Sequence, residues 1–422
     1  NICRWCCFYK RESFLEIIQF TSMNKGVAIT GMGIISAIGN NTQENFHALT
    51  HAKHGISRVD LIDTIQREEI MVGEVKFSNN QLIEQLGLPP SNNYSRTALL
   101  GAIAAKEAVA DAGIVDIKKY KTGIVSGTSV GGMDMTEKYY YEYLTEKEPQ
   151  KYIESHHAGD STQKIAEQLG VEESLVTTIS TACSSAANAI LLGARLIKSG
   201  KLDRVIVGGA DCLSKFTING FKTLMILSDT FSTPFDENRK GLNLGEAAAY
   251  LVLESEAVVK AENKKVLGYV KGWGNANDAF HQTASSEDGD GATLAMEKAL
   301  KVAGLKPSDI DYINVHGTAT NNNDLSEGRA LINVFGDKTP IFSSTKAFTG
   351  HTLAAAGGIE AVYSILALQH NLVFPNLNFE TPMKEFSLVP QTELKEKELG
   401  VVLSNSLGFG GNSSTLIFSK EA

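Results

Sequence analysis

Short apolar, β-branched runs bounded by glycine alternate along this chain with alanine-rich stretches of helical period, and that alternation restricts the folds open to it. The runs fall at residues 26–35, 122–127, 176–181, 204–209, 266–272, 311–315, 340–344 and 400–405. Apolar runs this short and this continuous suit strands buried on both faces. Helical patterns lie between them, at 96–112, 184–198, 291–303 and 351–369. The expectation is an α/β fold in which helices cover a mainly parallel sheet.

The pattern also repeats. Ala108-Val109-Ala110-Asp111-Ala112-Gly113-Ile114, a helix end, precedes a strand that finishes Ser126-Gly127-Thr128. Ala299-Leu300-Lys301-Val302-Ala303-Gly304-Leu305 precedes one that finishes His316-Gly317-Thr318, and both glycines stand where a helix C-terminus favours a left-handed residue. A strand followed by an alanine-rich helix occurs at 177–197 and again at 341–368. With 422 residues the chain is too long for one simple core. It reads as two related halves, 23–260 and 261–422, joined by a charged helical link at 255–265. Residues 1–22 differ in composition from the rest, and Met23 opens a natural start, so 1–22 is expected to be a misassigned or non-native extension.

Charge and cysteine content remove several classes. A net charge of −9 argues against a general nucleic-acid binder. No apolar run reaches the roughly 18–20 residues that span a bilayer, so no membrane association is expected. Five cysteines, Cys3, Cys6, Cys7, Cys183 and Cys212, are too few for a disulfide scaffold and fit a reducing, cytoplasmic setting. Cys3, Cys6 and Cys7 suggest half a metal site, but no matching Cys/His pair follows at finger spacing, and no metal is expected.

Cys183 stands between a β-branched strand and a small-residue helix, Ala182-Cys183-Ser184-Ser185-Ala186-Ala187. Near a helix N-terminus the free N–H groups and the dipole favour a thiolate, which lowers the thiol pKa. The alternative is a small buried hydrophobe, the common fate of a free cysteine. His316 closes a strand and leads into Gly317-Thr318-Ala319-Thr320, and His351 is read at a second strand end, opening an Ala/Gly helix. Lys346 lies five residues before His351 in an apolar stretch, and Glu327 is a candidate buried partner for His316. The loop Gly408-Phe409-Gly410-Gly411 lacks the lysine and spacing of a nucleotide loop and suits close backbone approach to a ligand, with N–H groups free for an oxyanion.

These segments resemble the elongating β-ketoacyl-(acyl carrier protein) synthases of the thiolase-fold condensing enzymes, over residues 25–418. The likeness is carried in order by Val27–Gly33, Thr181-Ala182-Cys183-Ser184-Ser185, Gly208-Gly209-Ala210-Asp211, Pro234-Phe235-Asp236 with Gly245-Glu246, and Asn277-Asp278-Ala279-Phe280-His281. It continues through His316-Gly317-Thr318-Ala319-Thr320, Lys346 to His351, and Gly408-Phe409-Gly410-Gly411. The resemblance implies a duplicated five-layered α-β-α-β-α thiolase-like fold. By position it implies that Cys183 carries the acyl chain while the backbone N–H groups of Cys183 and Phe409 hold the oxyanion. His316 and His351 would assist decarboxylation, Lys346 with Glu327 would organise the site, Thr318 and Thr320 would touch the pantetheine arm, and Phe409 would gate the acyl pocket. It implies no cofactor of the chain's own, since acyl carrier protein brings the phosphopantetheine. It also implies a homodimer, or a heterodimer with a related subunit, with residues 204–209 or nearby elements at the interface, and a basic docking surface for the acidic carrier.

Departures from the family pattern are Asn412-Ser413 after the glycine loop, Glu172-Glu173-Ser174 before the nucleophile strand, and the polar pair His156 and His157. With Ser184-Ser185 they lean toward a specialised polyene or polyketide pathway over housekeeping fatty-acid elongation. Among the rivals, a thiolase would carry a second cysteine near the C-terminus, and none follows Cys212. An initiating synthase would pair cysteine with histidine and asparagine. A non-catalytic chain-length subunit would lack Cys183.

Overall fold

The computed structural model describes residues 25–146 and 150–422. The extension 1–22, with Cys3, Cys6 and Cys7, lies outside the described residues. Ten strands make one hydrogen-bonded sheet: β1 Val27–Ser36, β2 Thr122–Gly127, β3 Leu175–Ile179, β4 Arg204–Asp211, β5 Ala247–Glu254, β6 Gly268–Asn277, β7 Tyr312–Asn314, β8 Ile341–Ser343, β9 Val401–Gly408 and β10 Asn412–Ser419. Their order, β8-β7-β9-β10-β6-β1-β5-β4-β2-β3, is the same five-strand arrangement used twice. Each strand of β1–β5 has its counterpart five numbers later, and the two sets join where Val27–Ile29 of β1 pairs antiparallel with Gly268–Val270 of β6.

The principal helices repeat as well: α1 Arg96–Asp111, α2 Ala158–Leu169 and α3 Ser185–Lys198, then α4 Asp290–Ala303, α5 Asn321–Phe335 and α6 Ala356–His370. α1 covers the outer face of β1, β5 and β4, with α2 beside it, while α4 covers β6 and β10, with α5 beside it. α3 and α6 pack against each other in the middle, α6 touching strands of both sets. That gives five layers, as the resemblance implies. The same packing device closes both outer layers. A Cβ at Gly31 or Gly33 would stand 2.3 and 2.2 Å from the carbonyl oxygens of Ala108 and Ala104 in α1, and one at Gly272 or Gly274 would stand 2.5 and 2.0 Å from those of Ala299 and Ala295 in α4. Glycine in the strand and alanine in the helix let the two backbones meet, which is why both residue types recur in the sequence.

Three expectations need correction. The sheet is mixed: only β2–β3, β2–β4, β7–β8 and β7–β9 are parallel, whereas β4–β5, β5–β1, β1–β6, β6–β10 and β10–β9 are antiparallel. The missed strands are the inner ones β5 and β10; Ala247-Ala248-Ala249 opens β5 with helix-forming residues, and burial on both faces overrides that propensity. His351 does not end a strand, because the short helix Lys346–Thr349 intervenes after β8. Finally, β4 is buried along its whole length between β2 and β5, so residues 204–209 cannot be a subunit edge. The unpaired edges are β3 and β8.

Candidate active site

The nucleophile turn is held by its own serines. β3 ends at Ile179, and Ala182 then takes φ +51°, a left-handed conformation that costs an alanine of order 1 kcal/mol. Ser185 Oγ accepts from Thr181 N at 2.8 Å, while Ser184 Oγ donates to Thr181 O at 2.7 Å. Both hydroxyls are thus spent on the bend that presents Cys183 just before α3. Ser184 Oγ also lies 2.7 Å from Asn412 Oδ1, sharing its one proton between that oxygen and Thr181 O, and Asn412 Oδ1 accepts from Asn188 Nδ2 at 3.1 Å and Asn275 Nδ2 at 3.0 Å. This polar network ties α3 to β6 and β10, fastening the nucleophile turn to the strand that follows the glycine loop.

The expected low thiol pKa is not found. Cys183 is 6% exposed, and burial pushes its thiol up to about 12 against the opposing pull of Lys346 and a hydrogen bond from the Phe409 backbone. Helix α3 begins two residues after the cysteine, and desolvation is the largest influence on the thiol. The resting nucleophile is a neutral thiol. Phe409 lies beside it in a loop that only glycine permits: Gly410 and Gly411 have φ +81° and +78°, and a Cβ at Gly411 would come within 2.1 Å of Asp278 Oδ1. The Phe409 ring stacks on Phe221 with centroids 5.7 Å apart.

His316 and His351 meet edge to face, ring centroids 5.2 Å apart, both buried. Burial first, then the Lys346 charge, pushes each well below the ordinary histidine range, so both rings are neutral. Lys346 Nζ lies 3.1 Å from His316 Nδ1. An ammonium group only donates, so Nδ1 accepts and the His316 proton sits on Nε2. His351 Nδ1 is buried and has no hydrogen-bond partner among the described residues. The histidine loops are strained like the cysteine turn, with Gly317 at φ +39°, Ala319 at +65° and Leu353 at +54°.

Glu327 is buried at the site, but not as the imidazole partner expected. Its carboxylate accepts the backbone N–H groups of His316 and Gly317, each at 2.8 Å, and thereby fixes the loop instead of the ring. Asp324, one turn earlier on α5, accepts from Ala319 N at 3.2 Å and Phe235 N at 2.8 Å. The ion-pair partner of Lys346 is Glu360, which the sequence reading missed. Burial raises the Glu360 carboxyl to about 7 despite the lysine beside it. A single acidic residue inside the otherwise uncharged α6 was the available signal. Asp211, at the end of β4, accepts from Thr128 Oγ1 at 2.5 Å and Ala354 N at 2.9 Å, binding the loop after β2 to the segment after His351.

A cavity of about 250 Å³ is lined by Cys183, His316, His351, Phe409, Thr318 and Thr320 together. The Thr318 and Thr320 hydroxyls lie 2.9 Å apart. Lys346, Glu327 and Glu360 support this cavity from behind. None of Asn412, Glu172, Glu173, His156 and His157 lines it. His157 caps α2 by accepting from Gly159 N at 3.0 Å, and His156 contacts Thr136 on the surface. Among the described residues no group of three or more His, Cys, Asp or Glu is placed to hold a metal ion, and no helix is long and apolar enough to cross a membrane.

A buried cysteine, two neutral imidazoles and backbone donors converging on one cavity suit acyl transfer with stabilisation of an enolate. The chain belongs to the β-ketoacyl synthase family: residues 24–258 match its N-terminal domain and 267–380 its C-terminal domain. Its activity is that of a condensing acyltransferase of fatty-acid or polyketide synthesis. It is 33% identical over 414 residues to the 3-oxoacyl-[acyl-carrier-protein] synthase 2 of Staphylococcus aureus (strain N315), covering 94% of this chain and 99% of that protein. It is 32% identical over 412 residues to the enzyme of the same name from Vibrio cholerae, covering 93% and 99%. The solved ishigamide ketosynthase/chain length factor superposes with a TM-score of 0.89 at 29% identity, covering 94% and 100%. A ketosynthase (ApeO) solved in complex with its chain length factor (ApeC) from Xenorhabdus doucetiae gives 0.80 at 31%, covering 94% and 98%.

Proposed function

We propose that Cys183 carries the growing acyl chain and that malonyl-(acyl carrier protein) extends it by two carbons. The observation that carries this assignment is the convergence of Cys183, His316, His351 and Phe409 on one cavity. The neutral thiol attacks the acyl thioester carbonyl and passes its proton to a neutral imidazole. N–H groups of Cys183 and Phe409 hold the resulting oxyanion, and the tetrahedral intermediate collapses with loss of the pantetheine thiolate, which takes the proton. Malonyl thioester then enters and its carboxylate leaves as carbon dioxide. His316, with its proton fixed on Nε2, and His351 donate to the enolate oxygen. The enolate carbon attacks the Cys183 thioester, a C–C bond forms, and the C–S bond to cysteine breaks, the thiolate then taking up a proton from solvent to restore the thiol. Neutral histidines suit this role: an imidazolium would protonate the enolate carbon, whereas an imidazole only stabilises its oxygen.

Thr318 and Thr320 hold the pantetheine arm, and Phe409, next to the glycine pair Gly410-Gly411, gates entry of the acyl chain. The phosphopantetheine arrives on the carrier, so the chain needs no cofactor of its own. The strand order supports dividing the chain near residue 260. The working form is a dimer, with a second copy or with a related chain length factor, as in the solved relatives. Edge strand β3, immediately before the nucleophile turn, is the face we assign to it, because its side chains are exposed or half-buried whereas those of the other edge strand, β8, are mostly buried. A reducing cytoplasm fits the free thiols of Cys183 and Cys212.

Intact-mass measurement after incubation with acyl-(acyl carrier protein), then with malonyl-(acyl carrier protein), tests the assignment. An adduct on Cys183 that disappears as β-ketoacyl product forms is expected. An adduct elsewhere, or product formation by Cys183→Ala, would overturn it.

A further inference from the structure

The catalytic cavity is closed at one end and open at the other. Cys183, His316 and His351 are buried, whereas Lys240, Asn321 and Thr283 line the same cavity and are exposed. Resting on the condensing reading above, the carrier's thioester lies at the buried end. A carrier protein cannot enter about 250 Å³, so the phosphodiester that joins its arm to the protein must lie toward the open end.

Lys240 is the only lining residue there with a formal charge. Among the described residues no hydrogen bond or ion pair engages its ammonium group. The neighbouring cations are already committed. Arg239 is buried and donates to the carbonyl oxygens of Asp236 at 2.9 Å, Asn321 at 3.1 Å and Thr320 at 3.3 Å. Lys222 is ion-paired with Glu69. An unpaired ammonium at the rim of a cavity whose other lining side chains are neutral attracts an anion, and the anion the substrate brings there is a phosphate. We propose that Lys240 is the phosphate contact of the phosphopantetheine arm, and that it selects phosphorylated over unphosphorylated pantetheine thioesters.

Two carrier-free acyl donors with the same acyl group test this, the 4′-phosphopantetheine thioester and the pantetheine thioester, read as rate constants for acylation of Cys183 by intact mass. In the unaltered protein at low salt the phosphorylated donor should react about 5–10-fold faster, and the ratio should shrink as salt is raised. Lys240→Ala should bring the ratio to about 1, and Lys240→Arg should keep it. Equal rates in the unaltered protein, or an undiminished ratio in Lys240→Ala, would overturn the proposal. So would a loss seen only with carrier-bound donor, because Lys240 would then be answering an acidic side chain of the carrier. No acylation by either donor would instead remove the condensing reading, and this inference with it.

Discussion

Replacing Lys346 by methionine isolates the electrostatics behind the histidines. Lys346 and Glu360 form an ion pair whose side chains are 4% and 1% exposed. Removing the lysine leaves Glu360 with one long contact, Ser406 Oγ at 3.4 Å. Breaking a buried pair from one side costs about 3–5 kcal/mol while the remaining group stays charged. Glu360 has an escape, because burial already holds its carboxyl near 7 against the pull of Lys346, and losing that pull raises it further. The unfolded carboxyl titrates near 4.3, so between that pH and the raised value the folded variant binds a proton that the unfolded chain does not. Stability then falls as pH rises, by about 1.4 kcal/mol per pH unit for the one proton. The unaltered protein has the same slope from this group only up to about 7. The stability gap between Lys346→Met and the unaltered protein should therefore be small at pH 6 and widen by about 1 kcal/mol from pH 7 to pH 8, since the unaltered carboxyl is half titrated at about 7. Glu327, also held near 7, feels a weaker pull from the same lysine, so its loss moves Glu327 in the same direction and adds to the gap. Urea unfolding at pH 6, 7 and 8 measures the gap, and Lys346→Met/Glu360→Gln should recover most of it at pH 8. A gap independent of pH, or a double variant as unstable as the single one, would refute the reasoning.

Alkylation of Cys183 by iodoacetamide should rise about tenfold per pH unit from pH 7 to 9.5 with no plateau, because burial holds its thiol near 12; a plateau below pH 9 would show an activated thiolate. Asn412→Ala removes an acceptor of three hydrogen bonds whose donors keep other partners, so unfolding should cost about 1–2 kcal/mol less and acylation should slow. Asn412→Asp keeps the acceptor and should stay close to the unaltered protein in both measurements. Gly411→Ala forces a left-handed alanine against Asp278 and should cost more than about 1 kcal/mol in thermal unfolding, with slower acylation as the Phe409 loop shifts.

Much of this site was legible because its residues stand at breaks in pattern. Cys183 and His316 each follow a strand and precede small residues, although only the strand before His316 is buried, and such junctions are where an α/β fold exposes a side chain at the end of its sheet. The chain-internal echo was also legible, since helix ends at Gly113 and Gly304 adopt φ of +61° and +69° as the sequence implied. Pairing across the fold was not. Spacing offered Glu327 as the partner of His316, but a carboxylate on α5 reaches the backbone of the loop before it reaches the ring. The partner of Lys346 sits 14 residues on, in a helix whose role as the shared central layer no local pattern reveals. The thiol pKa went wrong for a related reason. The turn does place Cys183 just ahead of α3, but burial from both halves, a tertiary quantity, sets the direction of the shift.

The duplication accounts for why these particular residues meet. β3 leads through Cys183 into α3, and β8 leads through His351 into α6, so nucleophile and histidine occupy corresponding strand-to-helix junctions of the two halves. For the junctions to face one another, α3 and α6 must touch at their first turns. A Cβ at Gly357 would stand 2.9 Å from Ala187 N, and one at Gly358 would stand 3.4 Å from the Ala186 side chain. Small residues there serve that approach, not helix propensity, which glycine opposes. The corresponding ends of β4 and β9 complete the arrangement: Asp211 anchors the segment after His351, and Gly408 leads to Phe409 beside Cys183. Each half thus supplies what the other's junction lacks. The Cys183 half holds the histidine loop with a carboxylate, and the histidine half supplies the backbone donor beside the sulfur. A substitution that separates α3 from α6, such as Gly357→Val, should therefore impair acylation and decarboxylation together, whereas loss of either junction alone should not.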